Sequence, residues 1–249
     1  LLNHFIMAST SEVGHAKNVA NFQDLIEFVI GYGATYNPSK NSLKLPQLIA
    51  LKDNAQAKLN DVIAKNTIYN NKVNERMVAF GNLKSFSTRL VNALQTTEAT
   101  NETINNAKTF NRKMQGKKAS TTQASTDPNA PAPATISTSQ QSYDQLIQHL
   151  AGLKSVLETE PSYTPNEVEL QIATIDSKIA DLSVKNTAVA TAYTNISNSR
   201  ISRNETLYTS ENGIYETASE VKKYIKSVFG ASSPQYNQVS GIKFSKPRL

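Results

Sequence analysis

The sequence predicts an all-α protein: an elongated, antiparallel helical bundle built from two duplicated three-helix units. Three observations carry that expectation. One stretch occurs twice, as K-L-N-D-V-I-A-K-N-T over Lys58–Thr67 and as K-I-A-D-L-S-V-K-N-T over Lys178–Thr187. Each copy sits inside a long run whose apolar residues recur by threes and fours, the pattern of a helix with one buried face. Between the runs lies a segment rich in Pro, Ser, Thr and Ala, 117–141, which cannot supply a core. A unit that cannot bury its own face alone is expected to pack against its copy.

The elements follow in chain order. Residues 1–15 are polar and are expected to form a flexible N-terminal segment. From Ala16 to Ile30, Val19, Phe22, Leu25, Ile26, Val29 and Ile30 fall at helical spacing, and Gly31-Tyr32-Gly33 ends the helix. After the turn at Tyr36-Asn37-Pro38-Ser39 comes a long helix from Pro46 to Phe80. Its seam is Leu48, Leu51, Ala55, Leu59, Val62, Asn66, Tyr69, Val73, Met77 and Phe80. Leu83 to Leu94 starts another apolar stripe, and Thr97 to Met114 forms a more polar helix. Repeat unit 1 spans 16–116.

Pro128, Pro131 and Pro133 forbid a helix in the linker. Repeat unit 2 spans 142–249. Tyr143-Asp144-Gln145-Leu146-Ile147 echoes Phe22-Gln23-Asp24-Leu25-Ile26, and Pro161–Asn166 echoes the earlier turn. A second long helix runs from Asn166 to Arg203 on Val168, Ile172, Ile175, Ile179, Leu182, Asn186, Val189, Tyr193 and Ile196. A last helix, Glu211 to Phe229, stops at Gly230. The tail from Pro234 to Phe244 carries Tyr236, Val239, Ile242 and Phe244 and is expected to dock on the bundle.

The chain of 249 residues is 39% apolar, 18% charged and free of cysteine, so disulfides and thiolate metal sites are excluded. No apolar run approaches the roughly 18 residues that span a bilayer. The net charge of +6 is lopsided. Residues 1–124 hold 15 Lys and Arg against 8 Asp and Glu; residues 125–249 hold 11 against 12. Part of the excess is a basic run, Arg112, Lys113, Lys117 and Lys118, read as a solvated hinge that binds polyanions weakly at most. Leu1–Ala8 lacks the features of a signal peptide, Met7 resembles a natural start, and the expected location is cytoplasmic.

Several stretches resemble a family of bacterial tandem helical proteins with no known activity. They are Tyr163–Leu170, Lys185-Asn-Thr-Ala-Val, Ala192-Tyr193, Arg200–Asn204, Arg112–Lys117, the Asp127-Pro-Asn-Ala-Pro-Ala-Pro linker and Val221–Gly230. The resemblance covers most of the chain after Ala16. It implies a bacterial source, and it carries over no functional residues.

No catalytic, cofactor-binding or metal-ligating set is expected. Glu12-Val-Gly-His15 has the Glu-x-x-His spacing of di-iron bundles, but His149 has Leu146 three residues before it, so the second pair is missing. His149 is expected at a helix surface or boundary. Asp61 and Asp181 each precede a lysine by four residues, the spacing of an exposed helical ion pair. Tyr69 and Tyr193 are expected in the core. Asn66 and Asn186 are the polar pair on the two seams; both are expected to be buried and hydrogen-bonded, to each other or to nearby hydroxyls. The functional alternative for the pair is a polar pocket for a small ligand.

The expected function is therefore a non-enzymatic structural or protein-interaction bundle that partners itself or another protein. The alternatives are a membrane-active bundle of the pore-forming kind, a weak nucleic-acid binder using the basic first repeat, and a carboxylate-based enzyme.

Overall fold

The computed structural model describes residues 13–116, 141–209 and 211–247. Every regular element among them is helical, as the sequence predicts. The helices are α1 (Val13–Gly31), α2 (Leu45–Phe80), α3 (Leu83–Gln95), α4 (Asn101–Met114), α5 (Tyr143–Glu158), α6 (Ile172–Tyr208), α7 (Ile214–Phe229) and α8 (Pro234–Ser240). Short 3-10 turns lie at Gly33–Thr35, Asn41–Leu43 and Val168–Leu170. Of the linker, only Gln141 is described; Lys117 and Lys118 lie outside the described residues.

Packing divides the chain differently from the repeats. One compact unit takes the residues through Ile68 and those from Tyr193 on, and the other takes Tyr69–Ala192. The first holds α1, the start of α2, the end of α6, α7 and α8. The second holds the end of α2, α3, α4, α5 and the start of α6. The spans 16–116 and 142–249 are thus stretches of chain that each contribute to both compact units, and each carries four helices rather than three.

The two units nevertheless share an internal plan. In the first, α1 packs on α7 and α8, and α7 packs on the 3-10 turn before α2. In the second, α5 packs on α3 and α4, and α3 packs on the 3-10 turn before α6. The first core is built from Phe22, Leu25, Ile26, Leu48, Leu207, Ile214, Val221 and Ile225. The second is built from Leu83, Leu90, Leu94, Met114, Leu150, Leu153, Leu157 and Ile175. Each such side chain contributes about 1.5–3 kcal/mol on burial. Close approach of α5 to α4 depends on Gly152, where a Cβ would fall 2.2 Å from the Phe110 ring.

The same tyrosine latch starts both long helices. The Tyr36 hydroxyl donates to the Leu43 carbonyl at 2.8 Å, and the Tyr163 hydroxyl donates to the Leu170 carbonyl at 2.9 Å. In each case the leucine is buried and the long helix begins two residues later, at Leu45 or Ile172. A charge pair ties each turn to the short helix that follows the other long helix, with the signs exchanged. Lys40 meets Glu220 of α7 at 2.6 Å, and Glu169 meets Arg89 of α3 at 2.7 Å.

These latches set the structural equivalence of the repeats, and it differs from the sequence echo by one heptad. Lys58 comes 13 residues after Leu45, whereas Lys178 comes 6 residues after Ile172. A slip of seven residues keeps every side chain on its face, so the two stretches still show nearly the same sequence of buried and exposed positions. The echo between Phe22 and Tyr143 is displaced by six residues, which does not keep the faces: counted back from the latches, Phe22 matches His149. His149 accordingly points inward and is buried, not at a surface.

The strict heptad also corrects the seams. Sevens from Leu48 reach Ala55, Val62, Tyr69 and Arg76; sevens from Ile175 reach Leu182, Val189, Ile196 and Arg203. The buried face follows these series to their arginines. Selecting by apolar type instead placed Met77 and Tyr193 inside, but they are 58% and 59% exposed, and Tyr69 is only half-buried. Val168 belongs to the 3-10 turn and is exposed. Helix α1 starts before Ala16, which brings His15 onto its buried face. The expected tail contains α8, whose start is set by the Ser233 hydroxyl accepting from the Tyr236 amide at 3.1 Å and by Pro234 in the first turn.

Two measurements check this account. With a protease site introduced within 117–140, cleavage should leave the two pieces co-eluting in native buffer and separating only in denaturant, because each core needs both. Separation in native buffer would refute the interleaved units. The second concerns the latches. Burial, and secondarily the charge of Glu167, pushes the Tyr163 hydroxyl up to about 12, and burial raises Tyr36 in the same direction. The neutral form is the one the fold favours. Its stabilisation is complete below the unfolded value near 10 and is lost as pH climbs toward the folded value. Melting temperature should fall from about pH 10 upward. Tyr163→Phe should lower stability at neutral pH by roughly 1–2 kcal/mol and flatten that alkaline decline.

Candidate functional site

The polar side chains singled out by the sequence resolve into separate local structures. Asn186 is half-buried in the second unit. Its amide donates to Asp144 Oδ1 at 2.7 Å, and its oxygen accepts from Arg76 at 3.0 Å. The Arg76 guanidinium also lies 4.0 Å from the centre of the Tyr143 ring, which in turn meets Phe80 edge-on. Beside it, Lys72 and then Lys185 hold the Glu75 carboxyl below its ordinary value. Glu75 and Arg76 of α2 meet Lys185 and Asn186 of α6, whereas Asn82, just past the end of α2, meets Lys178 about two turns earlier on α6, so the helices run antiparallel in this unit. Asn66 is half-buried and belongs to the first unit. The two seam amides are therefore not partners, and neither is fully buried: each sits beside the inner file of sevens rather than on it.

The first unit has its own buried polar cluster, and the sequence reading missed most of it. His15 and Asn18 on α1, and Arg203 and Tyr208 on α6, are all at most 6% exposed. His15 Nδ1 lies 2.7 Å from the Tyr208 hydroxyl, which also accepts from Asn18 at 3.1 Å. Arg203 donates to the Asn204 side chain at 2.8 Å. One turn earlier on α6 than Arg203, the Ser199 hydroxyl donates to Asp61 of α2. His15 is thus held inside a packed helix interface, bonded to a phenol. The heptad count from Ile175 would have found Arg203; nothing local marks Tyr208.

The basic run has an ordinary structural setting where it is described. Arg112 and Lys113 occupy the last turn of α4, where cations offset the helix dipole. Lys113 Nζ lies over the Phe110 ring at 5.6 Å. Among the described residues, no group of three His, Asp or Glu side chains is placed to hold a metal ion. No described helix is long and apolar enough to cross a membrane.

One stretch facing water on the long helices is free of charge. Residues 186–199 of α6 contain no Asp, Glu, Lys or Arg, although Thr187, Thr191, Tyr193, Asn195 and Asn198 are exposed. In the first unit Ile63 and Ile68 of α2 and Ile201 of α6 are also exposed. A solvated helix face ordinarily carries charges, whereas the centre of a protein–protein contact is depleted of them.

Comparison with known protein families, curated proteins and solved structures found no match.

The Asn186 contacts reverse the expectation for a simple seam polar residue. Asn186→Leu should lower stability by about 1–3 kcal/mol, since it strips a partner from both Arg76 and Asp144. A double-mutant cycle with Arg76→Met should give a coupling above roughly 0.5 kcal/mol. Additive effects would mean that the bond does not matter to the fold.

Proposed function

We propose that the protein is a non-enzymatic helical interaction protein that associates with further copies of itself through the long helices. The observation that carries this reading is the uncharged exposed face of α6 over 186–199, with exposed isoleucines on α2 and α6 in the first unit. Such a face has no like charges to repel an identical one, and its aliphatic side chains gain from leaving water. The polar side chains that first suggested chemistry or a ligand pocket support the same reading, because His15, Asp61 and Asn186 are each engaged in tying helices together. A bacterial source, implied by the family resemblance, belongs to this proposal as well.

Native mass measured across a wide concentration range should rise with concentration. Ile63→Lys, at an exposed position, should shift the species toward monomer while leaving helical circular dichroism unchanged. A mass that stays monomeric at high concentration would sink self-association. Retention on nucleic acid that survives physiological salt would favour the basic surface instead.

A further inference from the structure

The C-terminal tail is gripped by its main chain. After α8 ends at Ser240, Gly241 turns the chain and residues 242–247 leave the helix. Asn18 reads Ser245 from both sides, donating to its carbonyl at 2.7 Å and accepting from its amide at 3.0 Å. One turn along α1, Asn21 donates to the Lys243 carbonyl at 2.6 Å. From α7, Lys222 donates to the carbonyls of Ile242 and Ser240. Three helical residues advance about 4.5 Å and two extended residues about 6.6 Å, so this pairing fits a stretched chain. Ile242 and Phe244, two residues apart and hence on one side of such a chain, are the half-buried anchors. Phe244 meets Phe22 edge-on at 6.5 Å and lies under Lys222 Nζ at 5.4 Å. Lys243, Ser245, Lys246 and Pro247 are exposed.

We propose that the cleft between α1 and α7 is a docking site for an extended segment of the form apolar-x-aromatic, filled here by the chain's own tail. We infer that the same segment of a second copy enters it when two copies associate. Recognition through carbonyls and one amide is indifferent to which molecule supplies the segment. A second copy brings the right anchors at the right spacing, and every bond lost on release is remade on exchange. Gly241, between the end of α8 and the extended segment, is the pivot. Reciprocal exchange closes two copies about a two-fold axis and leaves no cleft empty, the low-cost route to a dimer. This inference rests on the self-association proposed above and assigns it a second contact.

The test uses the full chain carrying Phe244→Asp, which ejects its own tail, and a fluorescent peptide spanning Ser240–Leu249. The peptide should bind this chain at least tenfold more tightly than it binds the unsubstituted chain, whose tethered tail competes at an effective concentration on the order of millimolar. A peptide carrying Phe244→Asp should not bind. Ser245→Pro, at an exposed position, deletes the amide given to Asn18; placed in the full chain it loosens the tail and supplies the peptide's receptor if Phe244→Asp disturbs folding. In the peptide it should weaken binding about tenfold, in line with loss of one hydrogen bond. A folded Phe244→Asp chain that ignores the peptide, or that binds both peptides equally, would overturn the cleft. A concentration-dependent dimer unchanged by Phe244→Asp would overturn tail exchange while leaving self-association through the long helices intact.

Discussion

Heptad periodicity on two long helices is the constraint on which the rest depends. A helix of 36 or 37 residues, as α2 and α6 are, cannot be stabilised by its own propensity and needs a partner along its length. The series from Leu48 and from Ile175 keep one file of residues turned inward through each helix. Because both helices serve both compact units, a change that shifted the phase by one residue would misplace core positions in each. A shift of seven would not, which is why the two latches and the repeated decapeptide can disagree by one heptad within a consistent packing.

Where the inward file runs out of apolar residues, it ends in arginine, and the packing changes character. Arg76 and Arg203 occupy corresponding places, and the unit that holds each also holds a set of interacting aromatic and polar side chains. Around Arg76 these are Tyr143, Phe80 and Asn186. In the unit of Arg203 they are His15, Tyr208 and Asn18. Arg76 reaches α6 through Asn186 and α5 through the Tyr143 ring, so this position specifies which helices come together as well as holding them. In the first unit the network continues through Asn18 to the tail, linking the end of α6 to the cleft that grips Ser245.

Much of this architecture was legible in the sequence, and the site less so. The all-helical fold, the extent of α2, the turns and a docked tail follow from spacing, proline and glycine. The seams were readable to within their ends. They failed at Met77 and Tyr193 because residue type was preferred over strict periodicity, and a charged residue on the seam looks like an error until its partners are seen. Helix α8 had a local signature in Ser233-Pro234 that went unread beside the stronger signal of Gly230. The pairing of His15 with Tyr208 is separated by 193 positions and leaves no pattern in either neighbourhood.

The sequence by itself determined the helical secondary structure and most of the face that the long helices bury, since both are periodic properties of a few adjacent turns. Only the tertiary structure decided which halves share a core. Identical heptad faces are satisfied equally well by a partner in the same repeat or in the other one, so local pattern cannot choose between them. The choice was made by contacts distant in sequence: the charge pairs Lys40–Glu220 and Arg89–Glu169, Arg76 with Asn186, and an asparagine that reads the backbone of the tail.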